Sequence, residues 1–289
     1  MERAARRLDR RAMLAGVGAA VGSICAARLA RAAEPAALDT LRDAAAPTLR
    51  RSPTITGRGR AGDRAVRLGP PAPTEAWTDI EIGRSTQGRP ILVQRSRAMN
   101  ERVHVMMIGG IHGDERDSAT LVESCRSVRR PDDVSLTLLP VLNADGWAAE
   151  TRNNANDVDL NRNFPWRWGA DDHGPFEASE LETRALIFHL EATRPDLVLF
   201  VHQPLGYVAP IGETSQRYAE LWRDITGLRI WRDVLQRGGG ETWTSQVLGL
   251  GALLVELSGW ESTPEELAAN RAAFQMLLDV VTPATTTAE

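Results

Sequence analysis

The chain has 289 residues, 43% of them apolar and 25% charged, with a formal net charge of −4. That is enough apolar material for one large domain or two small ones, and it excludes a wholly disordered or collagen-like chain. Two cysteines, Cys25 and Cys125, exclude a disulfide framework; all 34 basic residues are Arg, which removes Schiff-base lysine chemistry and a P-loop.

The N-terminus has the layout of an export signal. Arg3, Arg6, Arg7, Arg10 and Arg11 precede an apolar run from residue 12 to 27, and Ala30-Arg-Ala32 follows as a small-x-small cleavage site. The run is too short and too Gly-rich for a membrane span. Asp9-Arg-Arg-Ala-Met-Leu14 resembles a twin-arginine signal with Met13 where Phe is usual. Residues 1–32 are therefore read as an export signal, which places the mature chain in the periplasm or outside the cell with no stable membrane anchor. Without its seven Arg and two acids, the mature chain keeps 27 basic and 36 acidic residues, a net charge of −9. Such acidity argues against a nucleic-acid partner.

Residues 33–75 are rich in Ala, Arg, Gly and Pro and read as a largely irregular linker with a short helix at 36–46. Gly57-Arg-Gly-Arg-Ala-Gly62 fits GxGxxG, but no apolar strand precedes it and Pro70-Pro71 stop any helix after it, so no dinucleotide site is expected.

From 76 to 289 the pattern is that of a folded domain. Strands are expected at 80–82 and 90–94 around a turn, then at 103–108, 134–142, 196–201 and 251–257. Helices are expected at 118–128, 177–193, 218–225 and 264–281. Strands alternating with helices indicate an α/β fold: a mixed, mainly parallel twisted sheet flanked by helices, with functional groups at the carboxyl ends of the strands.

Three apolar strands end in such groups. The first runs into Gly109-Gly-Ile-His-Gly-Asp-Glu115, where His112 and Glu115 lie three apart on a tight loop and can reach one metal ion. The second ends in His202, and the third carries Glu256 within Leu253-Leu-Val-Glu-Leu257. Two His and a Glu with an open water position make a known catalytic zinc set, and a nearby carboxylate can then act as general base. Each element alone has a plainer reading: a chance HxxE, a core histidine, a buried ion-pair member.

The stretch between them is more specific. Asn143-Ala-Asp-Gly146 is followed by Arg152 and by Asp157-Val-Asp-Leu-Asn-Arg-Asn-Phe-Pro165. In order and rough spacing, from Trp77 to Gly259, the chain resembles the zinc carboxypeptidase family, with its HxxE loop, N-P-D-G, transition-state Arg and D-x-N-R-N. Residues 82–90 and 179–185 resemble that family's opening hairpin and the helix after the loop. The resemblance implies one zinc per chain held by His112, Glu115 and His202. It implies Glu256 as the base of a zinc-water attack, Arg152 as the oxyanion partner, and Asn161 and Arg162 as the grip on a substrate carboxylate. Three departures stand out. Ala144 replaces the Pro of N-P-D-G, His202 is followed by Gln203-Pro-Leu-Gly206, and the region 236–246 holds Trp243 where the digestive enzymes carry a mobile Tyr.

The compact domain and His202-Gln-Pro-Leu-Gly look most like the bacterial murein peptide amidase branch, which cuts the γ-D-glutamyl–diaminopimelate bond of cell-wall peptides. The expected partner is thus a short peptide, in the first instance a murein peptide. The alternatives are a zinc deacylase of the aspartoacylase and succinylglutamate desuccinylase type, whose arginine pattern is less like Asp159-Leu-Asn-Arg-Asn163, and a non-catalytic peptide-binding relative, which has no need of Glu256. His104, His173 and His189 are read as structural or exposed, and Trp166 and Trp168 as either lining the site or packing. The sequence does not indicate an oligomeric state.

Overall fold

The computed structural model describes residues 77–169 and 173–283. The export segment 1–32, the linker 33–75 and the GxGxxG stretch within it lie outside the described residues.

The described residues form an eight-stranded sheet. Its strands are β1 (Thr78–Arg84), β2 (Pro90–Ser96), β3 (Val103–Ile108), β4 (Val134–Leu139), β5 (Leu197–His202), β6 (Tyr207–Ile211), β7 (Arg229–Ile230) and β8 (Gly251–Glu256). The spatial order is β1-β2-β4-β3-β5-β8-β6-β7. The central four, β4-β3-β5-β8, run parallel, and β2 and β6 pair antiparallel with their outer members. This is the mixed sheet the sequence predicts.

Helices cover both faces, which is why the central strands are apolar without alternation. On one face, Val105, Met107, Leu199, Val201, Leu253 and Val255 pack with α1 (Arg116–Ser124), α4 (Gln216–Thr226) and α6 (Pro264–Val280). On the other, Met106, Ile108, Val198, Phe200, Ala252 and Leu254 pack with α3 (Leu181–Thr193) and with Trp243 of α5 (Gly240–Gln246). Successive strand residues point to opposite faces, so His202 and Glu256 share the side of Phe200 and Leu254. The register sets these two directly opposite each other on neighbouring strands.

Four short elements were not predicted: α2 (Ala144–Ala149), β6, β7 and α5. Strand β6 carries Pro210 and lies near the sheet edge between β8 and the two-residue β7, and α5 begins at Gly240, so neither has a clear sequence period. The predicted strand 134–142 stops at Leu139, because Pro140 has no N–H for the ladder. The predicted helix 177–193 starts only at Leu181, because Ala178 has a left-handed φ of +50° that breaks the helical path. Among the described residues, no helix is long and apolar enough to cross a membrane.

Candidate active site

The adjacent carboxyl ends of β3, β5 and β8 bring the predicted residues together. Strand β3 leads through Gly109 and Gly110 to His112 and to Glu115, the residue before α1; His202 ends β5 and Glu256 ends β8. The HxxE loop is pinned to the Asn143–Gly146 turn by close contact. A Cβ on Gly113 would lie 1.9 Å from the carbonyl carbon of Gly146, so only glycine fits there. Asn143 caps α2 by accepting the Gly146 N–H at 2.8 Å, and its amide donates to the Arg152 carbonyl. With Ala144 in place of Pro, the turn is still held by this cap.

His112, Glu115 and His202 are buried, and one ligand atom from each lies within 4.8 Å of the others. Nδ1 of His112 is 2.6 Å from Glu115 Oε1, and Nδ1 of His202 is 3.0 Å from Oε2. Burial works against charge on every member, but the mutual attraction wins. It raises the pKa of His202 to about 9 and lowers that of Glu115 to about 2. The pair of imidazole nitrogens and the carboxylate is a donor set that fits a catalytic zinc with an open coordination position.

Asp159, quoted in the sequence motif but given no role there, completes the outer layer. Its Oδ1 meets His112 Nε2 at 3.0 Å, and its Oδ2 accepts from Arg152 at 3.0 and 3.2 Å. A carboxylate behind a ligating imidazole fixes its tautomer and orientation. Burial disfavours the Asp159 charge, but hydrogen bonding and attraction from His112 hold its pKa well below the usual range. Arg152 is 43% exposed, with Nη1 3.6 Å from Glu115, and so stands beside the donor set. His202 Nε2, by contrast, is buried without a hydrogen-bond partner among the described residues.

His112, Glu115, His202, Arg152 and Glu256 line one cleft of about 240 Å³ that also contains Asn161, Arg162, Tyr207, Glu241 and Trp260. Glu256 is 7% exposed; burial raises its pKa, and the positive His202 opposes that rise only in part. Arg162 donates to its neighbouring Asn161 carbonyl and makes no ion pair among the described residues, which leaves most of its fork for a ligand. Its backbone is packed under Gly238, which has φ +64° and whose added Cβ would lie 2.0 Å from the Arg162 carbonyl oxygen. The side-chain oxygen of Asn161 is committed to the Gly240 N–H, leaving its NH2 to offer.

Sequence reasoning missed Glu241. It is 1% exposed, and its Oε2 has no hydrogen-bond partner among the described residues. A single Glu after three glycines gives no periodic signal, and only the sheet brings it to the cleft. Tyr207, opposite Glu256 in register, was missed with β6. Trp166 and Trp168 do not line the cleft. Trp166 packs on the core, and Trp168 donates to the His173 carbonyl. His104 and His173 are buried, and His189 is half-buried on α3.

The family model described as zinc carboxypeptidase matches residues 75–225. Among curated proteins, murein peptide amidase A of Vibrio campbellii is 33% identical over 153 residues, 45% of this chain and 60% of that protein. Murein peptide amidase A of Escherichia coli K12 is 30% identical over 163 residues, 50% and 65% of the two chains. The alignments thus span less than two thirds of these relatives. Among solved structures, murein-tripeptide amidase of Escherichia coli O157 superposes with a TM-score of 0.57 at 25% identity, covering 73% of this chain and 96% of that one. Carboxypeptidase A of Helicoverpa armigera, at 18% identity and a TM-score of 0.57, covers 71% of this chain and 67% of that one and shares the fold.

Proposed function

The chain belongs to the zinc carboxypeptidase family, and from that premise we propose that it hydrolyses the amide bond next to a carboxylate-bearing residue in a short cell-wall (murein) peptide. The observation that carries this reading is the charge layout of one cleft. A His2Glu donor set and a buried carboxylate, Glu256, stand with a guanidinium, Arg162, that makes no ion pair among the described residues, and with buried Glu241, whose Oε2 has no hydrogen-bond partner among them.

His112, Glu115 and His202 would hold the zinc, which when bound supplies Lewis acidity toward a carbonyl and a more acidic water. Glu256 accepts the proton of the attacking water and returns it to the leaving amine, a role its raised pKa suits. Arg152 offers preorganised positive charge to the oxygen that becomes negative in the transition state. Arg162 takes the substrate carboxylate in a two-pronged contact. Glu241 selects for a cation, because a buried carboxylate oxygen without a partner is stabilised by a bound ammonium. Diaminopimelate satisfies both: a carboxylate sits beside its acylated amine, and a free ammonium lies at its far end. The names of the curated relatives support the same substrate class. Export through residues 1–32 would bring the chain to that substrate, and fractionation of the producing cell checks this.

The test is hydrolysis by the zinc-loaded chain of three substrates: γ-D-glutamyl-diaminopimelate peptides, ordinary C-terminal peptides and N-acyl amino acids. Preference for the first, reduced in Glu241→Gln, is expected. Preference for N-acyl amino acids would overturn the reading in favour of a deacylase.

A further inference from the structure

Gln203 follows His202 directly, is buried, and uses both ends of its amide. Its Oε1 accepts the backbone N–H groups of Asp117 at 2.9 Å and Ser118 at 3.1 Å. Its Nε2 donates to the carbonyls of Trp260 at 2.9 Å and Gly259 at 3.4 Å. Donors on one side and acceptors on the other allow only this orientation of the amide.

The two N–H groups belong to the first turn of α1. A helix start leaves such donors without partners inside the helix, and a side chain at the N-cap usually serves them. Here the N-cap residue is Glu115, which makes no capping hydrogen bond, because its carboxylate is turned to His112 and His202. The cap is supplied instead from 85 residues away in the chain by the neighbour of the other predicted ligand. The far end of Gln203 is anchored on the loop after Glu256, and Asp117 binds that same loop through the Ser262 N–H at 2.6 Å.

We propose that Gln203 is a positioning residue for metal binding: by capping α1 in place of Glu115, it frees that carboxylate for the ion and fixes its distance from His202. The inference rests on the zinc-site reading above. It does not depend on which peptide is cut.

The test is zinc affinity of the full chain, measured by competition with a chromophoric chelator, for the parent, Gln203→Leu and Gln203→Glu. Leucine fills the space without an acceptor, so Glu115 is drawn toward the open helix end. Zinc affinity should fall about 10- to 100-fold, the range for loss of an outer-layer contact. Glutamate keeps the acceptor, and a helix N-terminus favours its charge. Gln203→Glu should therefore bind zinc more tightly than Gln203→Leu, although it loses the donations to Trp260 and Gly259 and sets an oxygen against their carbonyls. A general packing role would weaken both variants alike. Parent-like affinity in Gln203→Leu, or equal loss in both, would overturn the proposal. Failure of the murein reading is a separate result, since it appears as tight zinc binding by the parent without hydrolysis of the peptide.

Discussion

Asp159 touches His112 with one oxygen and Arg152 with the other, so one buried carboxylate orients both a predicted ligand and the predicted oxyanion partner. Asp159→Ala should lower zinc affinity about 10- to 100-fold in the same chelator competition, whereas His202→Ala should abolish stoichiometric binding, because two ligands hold the ion poorly. Glu256→Gln is nearly isosteric but cannot take a proton. It should retain zinc and fold while kcat falls about 10²- to 10⁴-fold; near-parental turnover would put the base elsewhere. For Arg162, the informative measurement is kcat/KM on a substrate acid and its amide, with the parent and Arg162→Ala. A charge-assisted contact is worth about 1.5–3 kcal/mol, or roughly 10- to 150-fold. The parent should show that preference and the variant should lose it. A preference that survives in Arg162→Ala would make the residue structural.

Among the elements, α6 shows how local chemistry sets a boundary. Thr263 accepts the Glu266 N–H at 3.1 Å, Pro264 occupies the first turn, and Glu265 and Glu266 add negative charge near the positive helix end. Thr263 is exposed, so Thr263→Ala removes the cap with little repacking. It should cost about 1 kcal/mol in chemical denaturation, with zinc affinity unchanged. The long elements were legible for this reason: their period, caps and stops lie within a few residues of each other. Strand β3 was predicted to the residue and α6 to within one. Strand β6 and helix α5 were not, because each is stabilised by what it packs on. Tyr207 to Ile211 pair with β8, and Trp243 packs against Phe164 at 5.8 Å between ring centres.

For the whole molecule, part of the acid dependence of stability lies away from the cleft. His104 on β3 and His189 on α3 are held neutral, chiefly by burial and also by neighbouring positive charge, with pKa values lowered from 6.5 to about 4. The unfolded chain therefore binds more protons between those values. Stability is fully present above pH 6.5 and is lost as pH falls toward 4, at a cost on the order of 3 kcal/mol for each histidine. Denaturant midpoints between pH 7 and 4 should fall, and less steeply in His104→Gln; an unchanged slope would show that His104 does not limit acid stability. The sequence by itself determined the α/β class, the buried central strands, the order of the motif blocks and the identity of the residues His112, Glu115, His202 and Glu256. The class and the strands follow from local periodicity, and the four residues from the resemblance of their motif blocks to the zinc carboxypeptidase family. Only the tertiary structure decided that Asp159 stands behind His112, that Gln203 caps a helix 85 residues earlier in the chain, and that Glu241 is buried in the cleft with an oxygen that has no partner among the described residues. Each of those contacts joins segments far apart in the chain, and burial and hydrogen-bond partners are properties of the packed sheet that no short window of sequence contains.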